Sequence, residues 1–170
     1  MSQNIYLIGF MGVGKSTIGK LLAEEMNGQL VEMDEAIEAE QKMTINEIFT
    51  KYGEAYFRNL ESELVARISK ENNRIVSCGG GAVLREENVA NMKESGKIVF
   101  LSATPETIYQ RVRYSTNRPL LNGNMNVEYI AGLLEKRRAL YEGAADVTIA
   151  TDGKDVQEIV REVMEKCGDR

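Results

Sequence analysis

Histidine is absent from this 170-residue chain. That removes imidazole as a proton carrier and as a metal ligand, so acid–base work falls to Asp, Glu, Lys or Tyr. Cysteine is nearly absent as well. Cys78 and Cys167 form no framework, and they read as a strand-end packing residue and a tail thiol of a reducing cytoplasm rather than a disulfide. No apolar run approaches the length of a membrane span, and the N-terminus lacks the basic start of a signal peptide, so a cytoplasmic protein without a membrane partner is expected. Positive charge is in the minority: 21 Lys and Arg stand against 26 Asp and Glu, and the net charge of −5 argues against a general nucleic-acid surface. The Asn-Lys-x-Asp motif that reads guanine is missing, which disfavours a GTPase switch. There is no internal repeat and no low-complexity linker. One domain spanning residues 1–170 is expected, of a size able to bury a single core.

What is present is concentrated near the start. Gly9-Phe10-Met11-Gly12-Val13-Gly14-Lys15-Ser16 spells G-x-x-x-x-G-K-[ST], a loop whose backbone N–H groups curl around phosphate oxygens. In such a loop Lys15 reaches the β- and γ-phosphates and the Ser16 hydroxyl ligates Mg²⁺. The context fits. Asn4 to Ile8 is a short apolar run that reads as a buried parallel strand, and Ile18, Leu21, Leu22 and Met26 recur at helical spacing behind the loop. Lys15 and Ser16 therefore open a helix, whose positive end favours phosphate.

Strand and helix alternate along the rest of the chain. Apolar runs at 4–8, 30–32, 74–78, 97–101 and 146–150 predict five strands. Between them Thr44 and Glu47 make a capping box ahead of Ile45, Ile48, Phe49 and Tyr52. Phe57, Leu60, Leu64 and Ile68 form the stripe of the next helix. Gly96 reads as the C-terminal stop of a helix starting near Arg85, and Thr104-Pro105 as an N-cap with proline in the first helical position. Further helices are predicted from about Val127 to Glu142 and through Val156, Ile159, Val160, Val163 and Met164. This alternation implies a parallel sheet covered on both faces, with ligands at the carboxyl ends of its strands. Two stretches exceed the pattern. Residues 33–70 insert two or three helices between the second and third strands, and residues 113–126 are polar, turn-rich and long enough for a lid.

Candidate site residues cluster after the strand ends. Glu32-Met33-Asp34 follows the second strand; one carboxylate suits Mg²⁺, directly or through water, and the other suits a substrate hydroxyl's proton, with helix capping by Asp34 as the plainer reading. Arg58 and Glu61 share a helical face. The spacing favours a surface ion pair, and the alternative is that Glu61 orients Arg58 toward an anionic substrate. Gly79-Gly80-Gly81 is entropically costly unless something must approach the backbone closely, and ligand approach is favoured over a flexible turn. Arg118 lies in the lid stretch, either as a solvated loop residue or as a cation closing over the phosphates. In Lys136-Arg137-Arg138, usually a solvated face, Arg137 falls in register with Ile130, Leu133 and Leu134 and so points inward, where a charge needs an anion.

Taken together, these residues resemble the shikimate kinases, in the nucleoside monophosphate kinase-like branch of P-loop proteins. The resemblance runs in order from Gly9–Thr17 with Gly19, through the acidic pair, Phe57-Arg58-x-x-Glu61, Gly79-Gly80-Gly81 and Arg118-Pro119-Leu120, to Arg137-x-x-x-Tyr141. It implies ATP-dependent phosphorylation of the 3-hydroxyl of shikimate, in chorismate and aromatic amino-acid biosynthesis, by a monomer using ATP and Mg²⁺. It implies an α/β, three-layer P-loop fold: a five-stranded parallel sheet of order 2-3-1-4-5 flanked by helices, with a substrate-binding helical insertion and a lid. Residue by residue, Gly12, Val13, Gly14, Lys15, Ser16 and Thr17 match the phosphate-holding loop, and Ser16 and Glu32 the metal site. Asp34 matches the aspartate that binds substrate hydroxyls and is their proposed base. Arg58 and Arg137 match the arginines that grip the carboxylate, with Gly79, Gly80 and Gly81 lining the same pocket. Arg118 matches the lid arginine that touches phosphates and substrate, and Arg111 the arginine near the nucleotide base. The implied catalytic set is Asp34, Lys15 and Arg118, working in a basic pocket of an acidic protein.

Two positions depart from the family pattern. Glu32 stands where Asp is usual, one methylene longer. Thr151-Asp152-Gly153-Lys154 lacks the arginine that often packs on adenine, which leaves Lys154 as the local cation. The alternatives are another small-molecule kinase of this architecture, such as a gluconate or nucleoside monophosphate kinase, and a non-catalytic nucleotide-binding regulator. Neither accounts for Asp34, Arg58 and Arg137 together.

Overall fold

Short apolar runs joined by amphipathic helices can pair only side by side and in one direction, because each crossover returns the chain to the same edge. The computed structural model, which describes residues 3–10, 12–113 and 126–168, has this form. Its strands are β1 (Asn4–Ile8), β2 (Gln29–Glu32), β3 (Arg74–Ser77), β4 (Gly96–Ser102) and β5 (Val147–Ala150). All pair in parallel, in the order β2-β3-β1-β4-β5. The helices among the described residues are α1 (Lys15–Met26), α2 (Met33–Gln41), α3 (Ile45–Tyr52), α4 (Glu54–Ile68), α5 (Glu86–Ser95), α6 (Pro105–Val112), α7 (Val127–Ala144) and α8 (Val156–Lys166). The insertion expected between the second and third strands is the three helices α2, α3 and α4. Residues 114–125, which include Arg118 and nearly all of the expected lid, lie outside the described residues.

The central strand β1 is buried at all five positions and divides its side chains by the strand period. Ile5 and Leu7 join one core with Ile18 and Leu22 of α1 and Ile159, Val160 and Val163 of α8. Tyr6 and Ile8 join the other, with Met33, Ile37, Ile48, Phe57 and Val65 from the inserted helices and Tyr141 of α7. Capping follows the sequence expectations. Thr44 and Glu47 form the reciprocal box at α3, and Thr104 caps α6 ahead of Pro105.

Gly96 ends α5 as expected, in extended backbone with φ of −178°. Glycine is needed there because a Cβ would collide with the Asn4 carbonyl where β4 begins beside β1. Cys167, read as a tail thiol, is 2% exposed and packs in the core with α8. Both cysteines are free. Asp34 does not cap α2, whose N-cap is Glu32 without a side-chain hydrogen bond; Asp34 sits in the first turn.

Asn4 opens an apolar run yet is fully buried. Its Nδ2 donates to Tyr6 Oη (3.1 Å), Ile68 O (3.2 Å) and Glu71 O (3.1 Å), while its Oδ1 accepts from Arg74 N at 2.9 Å. One side chain thus ties the start of β1 to the end of α4 and the start of β3. Asn4→Ala leaves several buried partners unsatisfied and is expected to cost about 2–4 kcal/mol. The check is urea denaturation of both chains; a loss below about 0.5 kcal/mol would show that the network is dispensable.

Candidate active site

The loop after β1 leads into α1, which starts at Lys15 behind Gly14 in the left-handed region and has no acidic residue in its first turn. The positive end of the helix is therefore uncompensated by its own side chains, as an anion site requires. Lys15 Nζ donates to Gly9 O at 2.6 Å and Phe10 O at 3.0 Å, folded over the loop it serves. Ser16 Oγ donates to Glu32 Oε2 at 2.7 Å. Burial pushes the Glu32 carboxyl above the ordinary carboxylate range; the Ser16 hydrogen bond opposes this, and Glu35 and Asp34 add to it. On the other side of the loop, Arg111 donates to Gly12 O at 3.0 Å and to Thr151 Oγ1 at 3.4 Å. Lys154, the cation of the departing segment, is committed to Glu162, with both carboxylate oxygens at 3.0 Å.

A cleft of about 740 Å³ runs from this loop to the inserted helices, and Asp34, Arg58, Gly79, Gly80, Gly81 and Arg137 all line it. The spacing of Arg58 and Glu61 favoured a surface pair, and the structure overturns that. Arg58 is 9% exposed, Glu61 1%, and Arg58 Nη1 donates to Glu61 Oε1 at 2.7 Å. Gly79 and Gly81, in the loop after β3, pack against these side chains, which the spacing alone does not reveal. Burial pushes the Glu61 carboxyl up, and the adjacent Arg58 guanidinium only partly draws it back. A second acid, Glu54, accepts from Arg58 Nε at 3.2 Å and Nη2 at 3.1 Å. It escaped the sequence reading although it stands one turn before Arg58.

The glycine triplet is a matter of room. None of its three residues has positive φ. A Cβ on Gly81 would overlap the Arg58 guanidinium, with Nη2 at 2.7 Å, and one on Gly79 would lie 2.6 Å from Glu61 Oε2 and 3.0 Å from Asp34 Oδ1. The chain's own ion pair packs against Gly79 and Gly81, and all three glycines also line the cleft. Glu61 Oε2 is buried with no hydrogen-bond partner among the described residues.

Arg137 points inward as expected, 8% exposed, with its guanidinium 5.9 Å from the centre of the Phe10 ring. Among the described residues no carboxylate pairs with it. The cleft is not simply basic: Lys15, Arg58, Arg111 and Arg137 share it with Glu32, Asp34, Glu35, Glu38 and Glu61. Its far wall includes Phe49 and Phe57, rings 5.3 Å apart, which sequence periodicity assigned to the core. Cys78 also borders the cleft, but burial pushes its thiol up to about 12, so it is no nucleophile there. Arg118 lies outside the described residues.

The arrangement suits a phosphoryl donor at one end and a small anionic acceptor at the other. Comparison with known proteins agrees. The shikimate kinase family model matches residues 11–168. A shikimate kinase of Persephonella marina is 43% identical over 162 residues, covering 95% of this chain and 97% of its own length. A solved shikimate kinase from Acinetobacter baumannii, in complex with shikimate, superposes with a TM-score of 0.93 at 32% identity, covering 97% of this chain and 92% of that one. A gluconokinase from Sinorhizobium meliloti, at 19% identity and a TM-score of 0.62, shares the fold alone. The chain belongs to the shikimate kinase family, enzymes that phosphorylate shikimate at the expense of ATP.

Proposed function

We propose that this chain transfers the γ-phosphoryl group of ATP to the 3-hydroxyl of shikimate, with the acceptor carboxylate held between Arg58 and Arg137. The observation that carries this reading is the pair of buried arginines beside the glycine triplet, one of which, Arg137, has no carboxylate partner among the described residues. A buried guanidinium without an anion is costly, and a bidentate carboxylate satisfies it. The apolar wall of Phe49 and Phe57 matches the hydrocarbon ring of such an acceptor, and Asp34, beside Gly79, accepts from its hydroxyls.

Lys15 and the loop amides of Gly12 to Thr17 hold the phosphates, and Arg111 sits at the nucleotide side of the loop. Asp34 orients the attacking hydroxyl or takes its proton, placed by the arginine clamp on the acid at the other end of the ring. Arg118 is assigned to the lid that closes over phosphates and acceptor. The residues also fit Mg²⁺. Among the described residues no group of three or more acidic or thiol side chains could form a cage for a metal. Ser16 Oγ and Glu32 would hold the ion, which would supply positive charge against that developing on the transferred group. Glu32, one methylene longer than the usual acid, accepts from the Ser16 hydroxyl. The chain acts as a single-domain cytoplasmic monomer on small molecules, without nucleic-acid or membrane partners. In support, its net charge is −5 and no helix among the described residues is long and apolar enough to cross a membrane.

Coupled ADP release with Mg·ATP, comparing shikimate, gluconate, AMP and no acceptor, tests the assignment. Release is expected with shikimate alone. Release with gluconate or AMP would overturn the pocket, and release without any acceptor would point to an ATPase. Asp34→Asn is expected to lower kcat by about 10²–10⁴-fold with the KM for ATP within about threefold. Equal turnover would remove Asp34 from the chemistry.

A further inference from the structure

Tyr141 takes no part in the mechanism above, yet it is 1% exposed and its phenol donates to the carbonyl of Gly80, the middle residue of the triplet. Four successive carbonyls in this loop are engaged. Gly79 O accepts from Ala82 N and Gly81 O from Leu84 N, each at 3.0 Å, while Ala82 O accepts from Asn88 Nδ2 at 2.9 Å. The Gly79 and Gly81 bonds are local turns. Only Gly80 O is held by a distant residue of the chain, on a different helix.

The direction of that bond matters because a trans peptide sets the N–H of one residue opposite to the C=O of the residue before it. Drawing Gly80 O toward α7 turns Gly81 N–H the other way, and Gly80 and Gly81 line the cleft. Between two glycines the peptide has few steric limits of its own, so an outside tether decides its orientation. Tyr141 is a firm anchor. Its ring stacks on Phe100 of β4 at 5.1 Å and 24°. It also lies one turn after Arg137 on α7, so the two side chains share a face. Burial raises the phenol's pKa and Arg137 draws it back, which keeps the hydroxyl a neutral donor beside the cation.

We propose that Tyr141 is a positioning residue: its hydroxyl locks the Gly80 peptide so that the glycine-loop amides and Arg137 meet the acceptor carboxylate as one rigid unit. This rests on the acceptor site assigned above. The donors otherwise belong to separate elements, the loop after β3 and the middle of α7, and the phenol is the hydrogen bond that sets the distance between them.

Tyr141→Phe removes one oxygen and keeps the stacked ring. The KM for shikimate is expected to rise about tenfold, the worth of one such hydrogen bond, with the KM for ATP within about twofold. The thermal midpoint is expected to stay within about 4 °C. A purely structural role would instead move both KM values together with the midpoint. An unchanged KM for shikimate, or equal rises for both substrates, overturns the proposal. In the unmodified chain, hydrogen exchange gives a second reading that does not depend on how the variant folds. Shikimate without nucleotide is expected to slow exchange over residues 79–84 and 137–144 together, and protection of one segment alone overturns the proposal. Failure of the acceptor site itself shows in the unmodified chain's shikimate-dependent activity, whereas failure of the tether leaves that activity intact and shows in Tyr141→Phe and in the exchange pattern.

Discussion

The buried pair of Arg58 and Glu61 is the constraint around which the rest of the site is arranged. Taking both charges out of water is expensive, and a hydrophobic pair of similar volume would often be as stable or more so. Removing one partner alone is worse, at about 3–5 kcal/mol, because the other charge is left buried. Such a pair therefore marks a place where orientation of a charge matters more than stability. Here Glu61 and Glu54 hold the guanidinium from behind and beside, at 2.7 Å and 3.1 Å, on the floor of the cleft. The volume for that pair comes from the missing side chains of Gly79 and Gly81.

Strand order then places the pair next to the phosphate loop. β1 lies between β3 and β4, and β3 lies between β1 and β2. Their carboxyl ends carry, side by side, the loop leading to Lys15, the glycine triplet, and Glu32 with Asp34. Parallel pairing makes all three emerge at the same edge, so residues far apart in the chain form one cleft. The inserted helices α2, α3 and α4 close it from the side and supply Arg58, Phe49 and Phe57. α7 reaches in from the other side with Arg137 and Tyr141. Transfer between two small molecules needs this adjacency, because most of the catalytic gain in phosphoryl transfer comes from positioning and charge.

Much of the fold was legible because the signals were local. Five apolar runs, a capping box at Thr44 and Glu47, and proline behind Thr104 each depend on neighbouring residues only. The phosphate loop was legible for the same reason, its residues being contiguous. What escaped depends on packing between distant segments. The spacing of Arg58 and Glu61 is identical for a surface pair and a buried one, and only the packing of Gly79 and Gly81 against them decides. Gly96 is the helix stop it looked like, but its closeness to Asn4 across two strands could not be read from its neighbours. Asn4, at the head of an apolar run, carries no sequence sign of its four hydrogen bonds. Lys154 could be seen as a cation but not as the partner of Glu162, and Tyr141 as part of a motif but not as the partner of Gly80.

The account stands or falls on whether the room left by the glycines is what seats the arginine for the acceptor. Gly81→Ala puts a methyl group into the Arg58 guanidinium, whose atoms are the three nearest to it. Calorimetric titration of this variant and the unmodified chain with shikimate, and separately with ATP, measures the claim directly. Shikimate affinity is expected to fall by more than about tenfold, with ATP affinity within about twofold. Unaltered shikimate affinity in a folded Gly81→Ala chain would contradict the account, because the arginine would then hold the acceptor without needing the space the triplet leaves.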